Sequence, residues 1–211
     1  MSQKVLIIGI CGVTCGGKTT IANKLNNILP SSKILCQDDY FLDVSDPRHK
    51  WIESLDHINF DILTSLDMEK MHSDILKFIG NKTIITPGEK NHQKNFKLSL
   101  DNNLNKAVIE KICNDNIEVL IIEGFCVFNY KPMRDLFSLK YYFTLSKEEC
   151  FKRRTLRVYD PPDCPGYFEI CAWPEHLSQL EEVKKEFNIT YFDEHTNNIL
   201  ELILQEILNQ F

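Results

Sequence analysis

Gly12, Gly16, Gly17, Lys18 and Thr19 stand at the spacing G-x-x-x-x-G-K-[ST], with Val13, Thr14 and Cys15 inside the run and Thr20 after it. Glycines there let successive backbone N–H groups turn inward around a phosphate. The lysine neutralises β- and γ-phosphates, and the threonine hydroxyl is placed to ligate Mg²⁺. This pattern predicts a site for a purine nucleoside triphosphate, with ATP and Mg²⁺ as the expected cofactors. Gln37-Asp38-Asp39-Tyr40-Phe41 sets two carboxylates and two aromatic rings directly after a short strand-like run. A carboxylate in that position can orient an alcohol, take its proton late in phosphoryl transfer and help hold Mg²⁺, so Asp38 and Lys18 are the candidate catalytic residues. Asp39, Tyr40 and Phe41 are expected beside the acceptor. Glu123 ends a fully apolar run, where phosphate-loop proteins keep an acidic residue for the metal.

The run from Lys152 to Tyr159 carries Arg153, Arg154 and Arg157, and the turn-rich stretch from Asp160 to Tyr167 follows. We read residues 152–167 as a lid that closes over the γ-phosphate and excludes water. On a helix Arg153 and Arg157 share a face and reach the triphosphate, with Val158 and Tyr159 beside them, while Arg154 points to the neighbouring side. A GTPase would need an N-K-x-D tetrad and a D-x-x-G directly after a strand, and neither occurs.

These groups must be positioned by alternating elements. Val5–Cys11, Lys33–Cys36, Val119–Ile122, Tyr141–Leu145 and Ile189–Phe192 read as strands, and their apolar character suits a parallel sheet covered on both faces. Helices are expected from about Thr19 to Ile28, from Asp61 to Phe78 with Gly80 as the stop, from a capping box at Ser146–Glu149, and over Ile199–Ile207. The alternation predicts an α/β phosphate-loop kinase fold with the nucleotide at the carboxyl edge of the sheet. The polar stretch 81–99 is expected to be an irregular excursion.

With 211 residues, 43% of them hydrophobic, and no Pro/Gly/Ser-rich linker, one domain over 1–211 is expected. The formal net charge of -6 argues against nucleic acid and anionic membrane surfaces, which leaves a small-molecule partner. No apolar run approaches the ~20 residues of a membrane span, and no signal segment precedes the first strand. Eight cysteines without a C-x-x-C pair read as reduced thiols of a cytoplasmic protein, and the histidines form no zinc-like pattern. A monomer or weak homodimer is expected.

The run I-I-G-I-C-G-V-T-C-G-G-K-T-T, Q-D-D-Y-F, F-D-I-L-T-S-L-D-M-E-K-M, L-I-I-E-G-F-C-V-F-N-Y-K-P and R-R-T-L-R-V-Y-D-P-P-D-C-P-G-Y-F together resemble the eukaryotic nicotinamide riboside kinases. The resemblance spans Lys4 to about Asp193 and is weak over 81–118. It implies ATP-dependent phosphorylation of the ribose 5′-hydroxyl of nicotinamide riboside, with nicotinic acid riboside as a second acceptor, feeding NAD synthesis. It further implies that Asp38, Asp61 and Arg154 hold the ribose, that Phe60 and Tyr159 sandwich the pyridinium ring, and that Arg153 and Arg157 serve ATP. Thr196, Asn197 and Asn198 would flank adenine, and Thr19, Asp38 and Glu123 would serve Mg²⁺. The family pattern has Tyr at Phe60, Gln at Asp160 and a polar pair at Cys15-Gly16, so the acceptor side departs from it. A uridine or cytidine kinase would use the same loop and base. A catalytically silent nucleotide-binding scaffold would be expected to have lost Lys18, Thr19, Asp38 or the lid arginines.

Overall fold

The computed structural model describes residues 3–86, 102–186 and 188–211. In chain order it forms β1 (Lys4–Gly12), α1 (Lys18–Ile28), β2 (Ser32–Cys36), β3 (Trp51–Ile52), β4 (His57–Ile58), α2 (Met68–Ile79) and β5 (Thr83–Ile84). There follow α3 (Asn102–Asn114), β6 (Ile117–Glu123), β7 (Leu139–Phe143), α4 (Lys147–Arg154), α5 (Trp173–Val183), β8 (Ile189–Phe192) and α6 (Ile199–Leu208). The main sheet is parallel, in the order β2-β6-β1-β7-β8, with β5 joining the start of β1. Because side chains alternate along a strand, β1 sends Leu6, Ile8 and Ile10 into one apolar layer under α1, α3 and α6. Val5, Ile7 and Cys11 go into the opposite layer, under α2 and Val183 of α5. Both faces are covered, as fully apolar parallel strands require.

The connections reverse direction at β1, so a crevice opens at its carboxyl end between β6 and β7. The phosphate loop leaves β1 there, Gln37–Tyr40 leaves β2 there as a 3₁₀ turn, and Glu123 ends β6 there. The α/β reading therefore holds, with differences in detail. The helix expected from Asp61 begins instead at Met68, because the Asp67 carboxylate accepts the Lys70 N–H (2.9 Å) and caps it. Asp61 lies in the preceding loop, free to serve a site. At Ser146 a helix does begin, but no capping box forms: Glu194 accepts the Ser146 N–H (2.9 Å), while Glu149 pairs with Arg153 (2.7 Å). The strand expected at Tyr141–Leu145 runs from Leu139 to Phe143. Within the 81–99 excursion, Thr83–Ile84 pairs with β1, and 87–99 lies outside the described residues.

Candidate active site

Gly12 closes β1 at φ +130°, and a Cβ there would come within 2.1 Å of the Phe143 carbonyl, so only glycine lets β7 approach. Gly17, at φ +92°, starts α1 without a side-chain cap, leaving the first N–H groups of the helix free for an anion. Between them Cys15 is itself left-handed, at φ +59°. The Lys18 ammonium folds back to donate to the Val13 carbonyl (2.8 Å), across the concavity of the loop.

One turn further, the Thr19 hydroxyl donates to Glu123 Oε1 (3.0 Å), and the Cys36 thiol donates to the same oxygen (2.9 Å). Glu123 is buried, and both donors satisfy it. Asp38 is open to solvent on one side and crowded by protein on the others. Desolvation pushes its carboxyl up, Lys18 and Arg157 oppose that, and Glu123 and Asp39 add to it. Among the described residues no three His, Cys, Asp or Glu side chains form a metal cluster on their own. Thr19, Glu123 and Asp38 offer the hard oxygen donors that Mg²⁺ takes when nucleotide phosphates complete its shell.

The lid helix α4 stops at Arg154, so Arg157 lies beyond it, and the shared helical face expected for Arg153 and Arg157 does not exist. Both still reach the loop: Arg153 Nη1 donates to the Cys15 carbonyl (3.4 Å) and Arg157 Nη1 approaches the Cys15 sulfur (3.8 Å). With Cys15–Thr20 and Leu156 they line a cleft of about 390 Å³. Val158 is 99% exposed and does not line it. Nor do Thr196, whose hydroxyl is bound to Asp193 (2.7 Å), or the exposed Asn197 and Asn198. Arg154 turns the other way, as expected. It is buried, bonds Asp163 through two nitrogens (2.6 and 3.0 Å) and sits 3.7 Å from Asp61. Its guanidinium also covers the Tyr159 ring at 4.5 Å. The Tyr159 hydroxyl lies against Thr14 (3.2 Å) and Cys15 (3.5 Å), so this ring is docked on the phosphate loop.

On the acceptor side Phe41 stacks on Phe125 (6.0 Å) and meets Phe60 edge-on (6.1 Å). His49 and His57 also stand edge-on to Phe60 (5.4 and 5.8 Å). Burial pushes the Asp61 carboxyl up, with Arg154 and then Tyr167 opposing. Tyr40 is not part of this wall: its ring is in the core against α2 and its hydroxyl donates to Asp74 (3.1 Å), because the three-residue period of the 3₁₀ turn puts Tyr40 on the inward side with Gln37. Asp39 and Asp160 are exposed. Sequence reasoning missed Asp163, Tyr167, Asn59 and Gln179. Asp163 carried a signal, a carboxylate in a Pro-rich turn after an arginine cluster; the others act only through long-range contacts.

A model of the phosphoribulokinase/uridine kinase family matches residues 7–160. Nicotinamide riboside kinase 1 of Rattus norvegicus is 37% identical over 192 residues, covering 90% of this chain and 87% of the relative. Nicotinamide riboside kinase 2 of Homo sapiens is 32% identical over 213 residues, covering 97% and 84%. A uridine kinase of Borrelia turicatae is 28% identical over 158 residues, covering 72% and 67%. A match of that extent, on a sheet whose crevice gathers Lys18, Thr19, Asp38 and Glu123, makes the chain a member of the phosphoribulokinase/uridine kinase family, in its nicotinamide riboside kinase branch.

Proposed function

We propose that this chain transfers the γ-phosphoryl group of ATP to the ribose 5′-hydroxyl of nicotinamide riboside. Family membership makes it an ATP-dependent nucleoside kinase; the acceptor is the finer reading. The observation that supports it is the position of Asp38, electrostatically coupled to Lys18 and Arg157 on the phosphate side and next in chain to an aromatic wall that Asp61 backs with negative charge. A cationic pyridinium ring favours aromatic faces and nearby carboxylates.

In this reading Asp38 orients the 5′-hydroxyl and receives its proton late in the transfer. Lys18, Arg153 and Arg157 meet the charge that grows on the phosphates. Mg²⁺ bound through Thr19, Glu123 and Asp38 would neutralise the β- and γ-phosphate oxygens. Tyr159 would complete the sandwich with Phe60.

Uridine or cytidine phosphorylation is a second reading with its own support, because His57 beside Phe60 is the kind of group that reads a pyrimidine edge. The deciding experiment is kcat/KM with MgATP for nicotinamide riboside, nicotinic acid riboside, uridine and cytidine. A preference of about thirtyfold or more for the pyridinium riboside over uridine is expected, the size of a desolvated cation–π contact. A uridine preference moves the assignment to the second reading. Loss of turnover on all four would leave the silent scaffold.

A further inference from the structure

The loop Asn59-Phe60-Asp61 is tied by several side chains from far along the chain, besides its nearby bonds to Lys50 and Ser65. Tyr167 accepts the Phe60 N–H through its hydroxyl (2.9 Å). Gln179 donates to the Asp61 carbonyl (2.6 Å). Asn59 donates to Glu175 (2.9 Å) and accepts from the Cys171 thiol (3.0 Å), while its own Oδ1 also takes the Asp61 N–H (3.1 Å). Of these partners Tyr167 is the most central. It is 1% exposed, its ring packs against His57 (5.0 Å), and the Arg154 guanidinium lies over it at 5.5 Å.

We propose that Tyr167 is a positioning residue for the acceptor: its hydroxyl fixes the Phe60 backbone, and with it the loop that carries Asp61, and so ties the acceptor wall to the end of the lid. This rests on the acceptor reading above. A phenol oxygen accepts as well as donates, so it can take the Phe60 N–H. The change Tyr167→Phe keeps the ring and its packing while removing that bond. The role therefore concerns affinity for the nucleoside and is separate from the phosphate chemistry.

The test compares wild type, Tyr167→Phe and Asp61→Asn, with the KM of nicotinamide riboside at saturating MgATP and the KM of ATP at saturating nucleoside. Tyr167→Phe should raise the nucleoside KM about tenfold, the loss of one hydrogen bond, and leave the ATP KM within twofold. Both constants unchanged in Tyr167→Phe, with a raised nucleoside KM in Asp61→Asn, would overturn the positioning role and leave the acceptor site standing. An unchanged nucleoside KM in Asp61→Asn would overturn the acceptor site itself. Should Tyr167→Phe fail to fold, amide exchange in the wild type decides: Phe60 N–H should be protected although it lies in a loop, and free exchange there overturns the proposal.

Discussion

Asp38 is the residue whose chemistry and whose surroundings point the same way. Its carboxyl is pushed up by desolvation while Lys18 and Arg157 oppose that, so the cations of the phosphate side favour its charged form. Asp38→Asn removes proton acceptance and keeps size and hydrogen-bonding reach. It should lower kcat at least ~10²-fold while ATP affinity, measured by calorimetry, changes little. Turnover near the wild-type value would take Asp38 out of the mechanism. The residues read most easily from sequence were those whose role depends on near neighbours. Lys18, Thr19 and Glu123 fall where the loop and strand end must put them. Tyr40 was misplaced because a 3₁₀ turn, invisible in composition, rotates it into the core. Tyr167 could not be read at all, since its partner Phe60 is 107 positions away.

The phosphate loop depends on how closely β1 and β7 pack. At Gly12 an added methyl would meet backbone, which has no rotamer to yield, and the positive φ adds strain. Gly12→Ala should therefore cost more than about 2 kcal/mol in urea unfolding and abolish ATP binding by calorimetry. A variant that melts and binds like wild type would show that the loop tolerates a wider β1–β7 gap. Among the elements, α3 and α5 were legible but not read: Leu104, Val108 and Ile112 recur every fourth position, and Leu177, Leu180 and Val183 every third. The start of α2 was not legible, because the Phe41–Leu66 bridge and the Tyr40 carbonyl, which accepts the Asp67 N–H (2.8 Å), hold the chain extended where apolar spacing suggests helix. The extent of α4 likewise depends on tertiary contacts, since nothing in the run from Lys152 to Tyr159 marks its end at Arg154.

Across the whole molecule, acid stability should carry the mark of His176. It is buried on α5 between Trp173 (5.3 Å) and Tyr142 (6.3 Å), and desolvation pushes its imidazole down to about 4. An unfolded histidine titrates near 6.5. Between those values the unfolded chain takes up a proton that the folded one refuses. The stabilisation is complete above pH 6.5, declines as pH falls, and levels off below pH 4, with a ceiling of about 3 kcal/mol. Urea unfolding at pH 7.5 and pH 4.5 should show wild type losing about 2 kcal/mol more than His176→Gln, which has nothing to titrate there. Equal losses would mean that other groups govern the acid limb.

One small apolar cluster joins regions that the sequence keeps apart: Val13 of the phosphate loop packs with Leu145, Cys150, Tyr167, Phe168, Cys171 and Ala172, and Ile52 and Leu55 of the β3–β4 hairpin lean on it. Cys150 also donates to the Thr14 carbonyl (3.5 Å), so the root of the lid is nailed to the loop beneath it. Between Thr155 and Pro165 the side chains Leu156 and Val158 stand bare, while Tyr159 is tied to the phosphate loop and Asp163 to Arg154. Natural variation then has two kinds of ground to work on. Changes at the bare Val158, or in the hairpin tip, touch none of the groups that line the phosphate cleft and can retune which alcohol is accepted. A change in the root alters both substrates' fates together, so new acceptor preferences should arise at the tips and losses of activity at the root.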